Sequence, residues 1–262
     1  MRICKAIRYI LSGYIFERKK ILKSLEKENE FSPTNKVYNI GRVAIYTVST
    51  GGYDSVKEPI YKDDNFDYFV FTNADVPENS VWKKISAKDL RPEMTPLEQA
   101  RYIKTHPHNY FKEYEYSVFI DGNVQIATDI RPLIFTMIYN ERVIAIHRHN
   151  IRNCAYHEGR IIWAQGRAKW CDIKKQLTHY RKEGFPKHFG LFETNIVIRK
   201  HQDPNCINIM ETWWNEIDNF TKRDQLSFTY SLWKNNVDSN FVMSLGNCSR
   251  KSSYFVVSGH NK

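Results

Sequence analysis

The chain has 262 residues, of which 42% are apolar, 26% charged and 14% aromatic, with 11 Gly and 9 Pro. That composition excludes a disordered or collagenous protein, and the length suffices for a core that needs no disulfide or structural metal. The net charge of +10 points to nucleic acid, anionic lipid or a phosphorylated substrate, without choosing among them.

Residues 1–36 hold nine Lys and Arg against four acids, which is half of the net charge. Ile3, Ile7, Ile10, Leu11, Tyr14, Ile21, Leu22 and Leu25 recur at three- and four-residue steps and predict one basic amphipathic helix. Phe31-Ser-Pro-Thr-Asn35 ends it as a linker, leaving 37–262 as a single domain. The helix either lies on an anionic membrane surface through residues 1–30 or docks on its own domain or a partner subunit. Its apolar run Tyr9–Phe16 is bounded by Arg8 and Glu17, short of the roughly 20 residues that cross a bilayer. Cys4, Cys154, Cys171, Cys206 and Cys248 form no C-x-x-C pair; they read as reduced thiols of a cytosolic protein.

Beyond the linker, Arg42–Ser49 reads as a β-branched strand ending at Gly51-Gly52, and Asp67–Asn73 as a second strand. Val81–Ile85 is a short third. Residues 96–112 have helical spacing interrupted at His106-Pro107, and Tyr116–Asp121 is an apolar strand stopping at Asp121-Gly122-Asn123. A helix near 129–140 precedes the strand Val143–Ile146, and 151–190 is polar and helical with a turn at Gly184-Phe-Pro186. Leu191–Ile198 is a strand, 207–220 and 224–234 are helices, and Tyr254–Ser258 is a closing strand. Strands separated by helices predict an α/β fold with a mostly parallel sheet covered on both faces.

Polar and Gly residues gather directly after strands, at Ser49–Gly52, Asp121–Asn123, His147–Arg152 and Gly259-His260. Ligands of open α/β sheets bind at the carboxyl ends of strands, so these loops are candidates to line one crevice. Asp121, delivered by an apolar strand, suits a divalent cation or a ribose hydroxyl, and equally an Asp-Gly turn. Arg101 and Lys104, three apart on one helix face, suit a diphosphate or a solvated surface. His147, His149, Arg152, His157 and Glu158 form a dense polar cluster whose spacing matches no standard zinc motif. Asp224 opens a helix, as a cap or as a general base.

Taken in order, Tyr116–Asn123, the His147/Arg152/Glu158 cluster, Gly184-Phe-Pro186, Gly190-Leu191 with Glu193, Trp213-Trp214-Asn-Glu216 and Arg223–Phe228 resemble a known family. It is the glycosyltransferase-like family long catalogued as a domain of unknown function. Its plant members act in seed mucilage and cell walls, and its bacterial members accompany surface-polysaccharide genes such as those for capsule or lipopolysaccharide. The resemblance spans roughly 42–234. It implies a GT-A-like nucleotide-sugar-binding sandwich and a hexosyltransferase-like enzyme. The donor would be a nucleotide-sugar, a UDP-sugar first, and the acceptor a glycan or a lipid-linked glycan.

In that fold an Asp-x-Asp motif follows the central strand. Here Asp121 matches the first acid and Asn123 replaces the second, an amide being a weaker ligand than a carboxylate for Mn2+ or Mg2+. The resemblance assigns Asp121, Asn123 and His260 to metal, and Thr50, Gly51, Gly52, Arg101, Lys104, Asp121, Gly122, Asn123 and Arg152 to the nucleotide-sugar. It places Asp224 at the acceptor as catalytic base, with Glu193 in reserve. Plant relatives carry a membrane anchor absent from this sequence, so the expectation is a cytoplasmic enzyme, peripheral on the inner membrane's cytosolic face. The alternative is a basic nucleic-acid-binding protein without activity. Against it, residues 37–262 carry only half of the net charge, which suits a phosphate clamp better than a nucleic-acid surface.

Overall fold

The computed structural model describes residues 32–52, 56–87 and 91–259. The predicted helix of residues 1–30, with Phe31 of the linker, and His260 lie outside the described residues. The β-branched and aromatic runs form β1 (Val43–Ser49), β2 (Phe66–Thr72), β3 (Trp82–Ile85) and β4 (Ser117–Ile120). They are followed by β5 (Val124–Ile126), β6 (Ile144–Arg148), β7 (Phe192–Arg199), β8 (Met243–Ser244) and β9 (Phe255–Val257). Between them lie helices α1 (Pro96–Thr105), α2 (Pro107–Tyr110), α3 (Arg131–Tyr139), α4 (Ala155–Ala164), α5 (Trp170–Lys182), α6 (Pro204–Asn219) and α7 (Asp224–Lys234).

Seven strands make one sheet in the order β3-β2-β1-β4-β7-β6-β8. β1 runs parallel to β2 and β4, β2 to β3, and β6 to β8. β7 runs antiparallel to both β4 and β6. The sheet is thus mostly parallel, as expected; the helix pair α4–α5 lies between β6 and the reversed β7. The closing strand does not join this sheet: β9 pairs antiparallel with β5, Val124 opposite Val257, as a separate ribbon.

Strand alternation sends Val43, Ile45, Val118, Ile120, Ile196 and Ile198 to one face, where Leu133, Ile134 and Met137 of α3 cover them. Ala44, Tyr46, Phe119 and Val197 go to the other, under α1, α6 and α7. A smaller cluster of Tyr156, Ile173, Leu177, Tyr180 and Tyr230 joins α4 and α5 to α7.

Local chemistry sets the helix ends that matter for the site. Thr95 and Glu98 form a reciprocal capping box at the start of α1, worth about 1 kcal/mol at its first turn. Pro107 then forces His106 out of helical geometry (φ −118°, ψ 46°), splitting the predicted 96–112 helix into α1 and α2. Because β1, β4 and β6 are co-directional, the loops after all three open on one edge, where β7 also enters.

Candidate active site

Asp121 leaves β4 at the middle of that edge. Its amide donates to the Asn195 carbonyl (2.8 Å), and its own carbonyl accepts from Val124 (2.9 Å), closing the turn over Gly122. Asn123 is buried. Its amide nitrogen donates to the Ser258 carbonyl (2.7 Å), while the Ser258 amide donates back to the Asn123 carbonyl (2.9 Å). The turn after β4 is therefore tied to the segment that follows β9.

Behind Asp121 lies a chain of buried charges. Lys104, fully buried, places Nζ 2.6 Å from Asp224 Oδ2 and 3.7 Å from Asp121 Oδ1, over the ring of Phe119. Arg101 Nη1 and Thr194 Oγ1 reach the same Asp224 oxygen, each at 3.1 Å. Trp213 Nε1 donates to the Asp224 carbonyl (2.8 Å), fixing the start of α7. Burial alone would raise the pKa of Asp224. The charges of Arg101 and Lys104, with the Lys104 and Thr194 hydrogen bonds, overcome it and hold the carboxyl well below the usual carboxylate range.

Three groups thus converge on one oxygen of Asp224, which holds Lys104 and Arg101 in place, and the Lys104 ammonium lies between the carboxylates of Asp224 and Asp121.

The β1 loop meets α1 directly. Thr50 Oγ1 donates to the Pro96 carbonyl (2.6 Å). Gly51 and Gly52 both have positive φ (68° and 65°), and a Cβ on Gly51 would stand 3.0 Å from Pro96 Cβ. Glycine there lets the loop lie against the start of the helix that carries Arg101 and Lys104.

The predicted histidine cluster separates into three. His147 turns into the core against Phe255, fully buried, with neither ring nitrogen hydrogen-bonded, and burial lowers its pKa to about 4. His149 Nδ1 accepts from the Ile151 and Arg152 amides (3.2 and 3.1 Å); burial, then the Arg152 charge, lower its pKa to about 3. Arg152 is paired with the buried Glu158 carboxylate through Nε. His157 lies with other partners, described below. Glu193 Oε2 accepts from both the amide and the hydroxyl of Ser249 (2.8 and 2.7 Å), anchoring the short 3-10 turn Ser249–Lys251 beside the site.

For a divalent cation, the described part of the expected set is one carboxylate, Asp121, and one buried amide whose nitrogen is committed to Ser258. A hard cation of the Mg2+ or Mn2+ kind asks for about six oxygens, with carboxylates and waters leading. These described residues alone do not make that site.

Thr194, Asn195 and Ser249 emerge only from the structure. Thr194 and Asn195 sit where β7 departs from regular pairing with β6. Asn195 Nδ2 donates to Ser249 Oγ (2.9 Å), and its buried Oδ1 has no partner. A polar Glu-Thr-Asn step at the entrance of an otherwise apolar strand was the available signal.

A mostly parallel α/β sheet thus carries a carboxylate turn at its central strand with a buried cation beside it, at the strand ends where open α/β sheets place their ligands. The profile of the TOD1/MUCI70, glycosyltransferase-like domain matches residues 69–260, and the chain belongs to that family. The probable hexosyltransferase MUCI70 of Arabidopsis thaliana is 25% identical over 193 residues, covering 70% of this chain; the match spans about a third (32%) of that relative's length. Among solved structures, the bifunctional glycosyltransferase WbbM is similar over 81% of this chain and 40% of its own, with 12% identity and a TM-score of 0.48. The mannosyltransferase Ktr4p of S. cerevisiae, in complex with GDP, is similar over 93% of this chain and 84% of its own, with 10% identity and a TM-score of 0.48.

Proposed function

We propose that the chain is a glycosyltransferase that moves a sugar from a nucleotide-sugar to a glycan or lipid-linked acceptor in surface-polysaccharide synthesis. The observation that carries this reading is the Asp121 turn, backed by the Lys104–Asp224–Arg101 charge chain, in a chain of the glycosyltransferase-like family. Asp121 faces the ribose or sugar hydroxyls, and the Thr50–Gly52 loop supports the nucleotide. As the acceptor oxygen attacks the anomeric carbon, the bond to the nucleoside diphosphate breaks and negative charge grows on the leaving group. Arg101, with the partly exposed Arg152 face, supplies fixed positive potential there. Asp224 holds Arg101 and Lys104 in place before the reaction, so that little reorganisation is needed during it. Asp224, with Glu193 in reserve, is the candidate carboxylate for the acceptor hydroxyl. A UDP-sugar is the first donor to test.

Mn2+ or Mg2+ held by Asp121, Asn123 and His260 belongs to the same proposal, as does attachment of the basic segment 1–30 to the cytosolic face of a membrane. The test is release of the leaving nucleotide (UDP, GDP, CMP or dTDP) from the corresponding nucleotide-sugars, with and without Mn2+, by the wild type and by Asp121→Ala. Loss of about two orders of magnitude in Asp121→Ala is expected; equal activity in the variant would remove the proposal's support. Deletion of residues 1–30 should abolish sedimentation with anionic vesicles, and unchanged sedimentation would contradict the membrane role.

A further inference from the structure

We propose that Cys154, His157 and His188 form a binding site for a zinc-class divalent ion, apart from the Asp121 turn. One ligand atom from each of these residues lies within 4.8 Å of the other two. Cys154 stands immediately before α4 and His157 in its first turn, so a spacing of three puts both on one side of the helix. The third ligand comes from far along the chain. His188 sits in the loop before β7 with left-handed backbone (φ 61°), and its ring centroid is 5.3 Å from that of His157.

The surroundings orient these groups as metal-bound imidazoles are oriented elsewhere. His188 Nδ1 lies 2.7 Å from Asn153 Oδ1. A side-chain carbonyl can only accept, so Nδ1 carries the proton and Nε2 keeps its lone pair. The loop is pinned a second time where the Gly190 amide donates to the Asn153 carbonyl (3.0 Å).

One thiol and two imidazoles select a zinc-class ion over Mg2+ or Mn2+, which prefer oxygen. Tetrahedral zinc brings its ligand atoms to about 3.5 Å of one another, so closure needs about 1 Å of movement. His188 is exposed and His157 half-buried, so side-chain rotation can supply it while the buried Cys154 stays fixed. The fourth position is left to water or another small ligand. A bound ion would fasten the loop after β6 to the loop before β7. Those loops carry Arg152 and lead into Glu193, so the ion would act as a structural clip between them.

The test uses the full chain, stripped of metal with a chelator and then titrated with Zn2+ and, separately, Co2+. One Zn2+ per chain is expected, with a rise in thermal midpoint. The Co2+ form should show the visible bands of a tetrahedral site and a thiolate charge-transfer band in the near ultraviolet. His188→Asn, whose new side chain tolerates left-handed backbone, should lose at least about tenfold in Zn2+ affinity while its metal-free thermal midpoint stays at the wild-type value. Cys154→Ser should remove the charge-transfer band, which distinguishes this thiol from the exposed Cys171. A wild type that binds no Zn2+, a His188→Asn variant that binds it equally, or a Co2+ form without the thiolate band would each overturn the proposal.

Discussion

Lys104 donates to Asp224 over 2.6 Å across 120 residues of sequence, and with Asp121 at 3.7 Å one buried ammonium joins α1, α7 and the turn after β4. Removing one member of such a pair strands the other charge. Asp224→Ala should therefore destabilise the fold by about 3–5 kcal/mol, because Lys104 and Arg101 lose their shared partner. The double variant Lys104→Met/Asp224→Leu should recover most of that loss in urea denaturation. It should not recover sugar transfer, which on this account needs the charge and not only the packing.

Glu216, in α6, makes stability depend on pH near neutrality. Burial raises its pKa to about 7, against hydrogen bonding from Tyr180; one of its oxygens is buried without a partner, and His179 Nε2 is 3.7 Å from the other. A carboxyl whose folded pKa is raised contributes most below its unfolded value of about 4.5, and that contribution is lost as pH rises through about 7. Glu216→Gln should then be more stable than the wild type at pH 8, by up to about 3 kcal/mol. Thermal midpoints measured from pH 5 to 8 check this, and a variant less stable at both ends would contradict it.

Asp67 and Asp224 act with the opposite sign. Asp67, buried at the β1–β2 border, accepts from Arg42 (2.5 Å), Lys83 (2.7 Å) and Tyr114 (3.0 Å), which hold its carboxyl far below the usual range. A depressed folded pKa contributes stability above the unfolded value of about 4, and that stability is lost as pH falls through the folded value. Asp67→Asn should lower stability at pH 7 and flatten the acid limb of the stability curve below about pH 4. An acid limb parallel to the wild type's would show that the pairing does not form in solution.

Gly159 marks the close approach of α4 to α5. A Cβ there would lie 2.9 Å from both Ile173 Cγ2 and Leu177 Cδ1. Ala is the better helix former, yet Gly159→Ala should destabilise by about 1–3 kcal/mol, because overpacking outweighs propensity at this contact. Unchanged or raised stability in urea would mean that the two helices separate freely.

How far these features could be read from sequence depends on whether the information is local. The strands at 42–49, 67–73 and 116–121 were legible because both sheet faces are buried and the apolar runs are continuous. The break at His106-Pro107 was legible because proline acts on its own neighbour. The direction of β7 was not, because nothing in its own residues sets which way it crosses the sheet. The polar 147–158 cluster was visible as composition, but its division was not. His147 turns inward, His149 and Arg152 stay together, and His157 finds a partner, His188, from outside the cluster. Asp121 was legible as a carboxylate at a strand end. The commitment of Lys104 to Asp224 was not, since nothing local links residues so far apart.

Whether a nucleotide-sugar is held at the Asp121 turn is decided by donor binding. Thermal shifts or calorimetry with UDP-, GDP-, CMP- and dTDP-sugars, on the wild type and on Asp121→Ala, would measure it. At least one donor should stabilise the wild type, Asp121→Ala should lose the effect, and moderate salt should weaken it only mildly. No response to any donor, or an equal response from Asp121→Ala, would rule out a nucleotide-sugar site at this turn. Nucleic-acid affinity falling steeply with salt would favour the basic nucleic-acid-binding alternative instead.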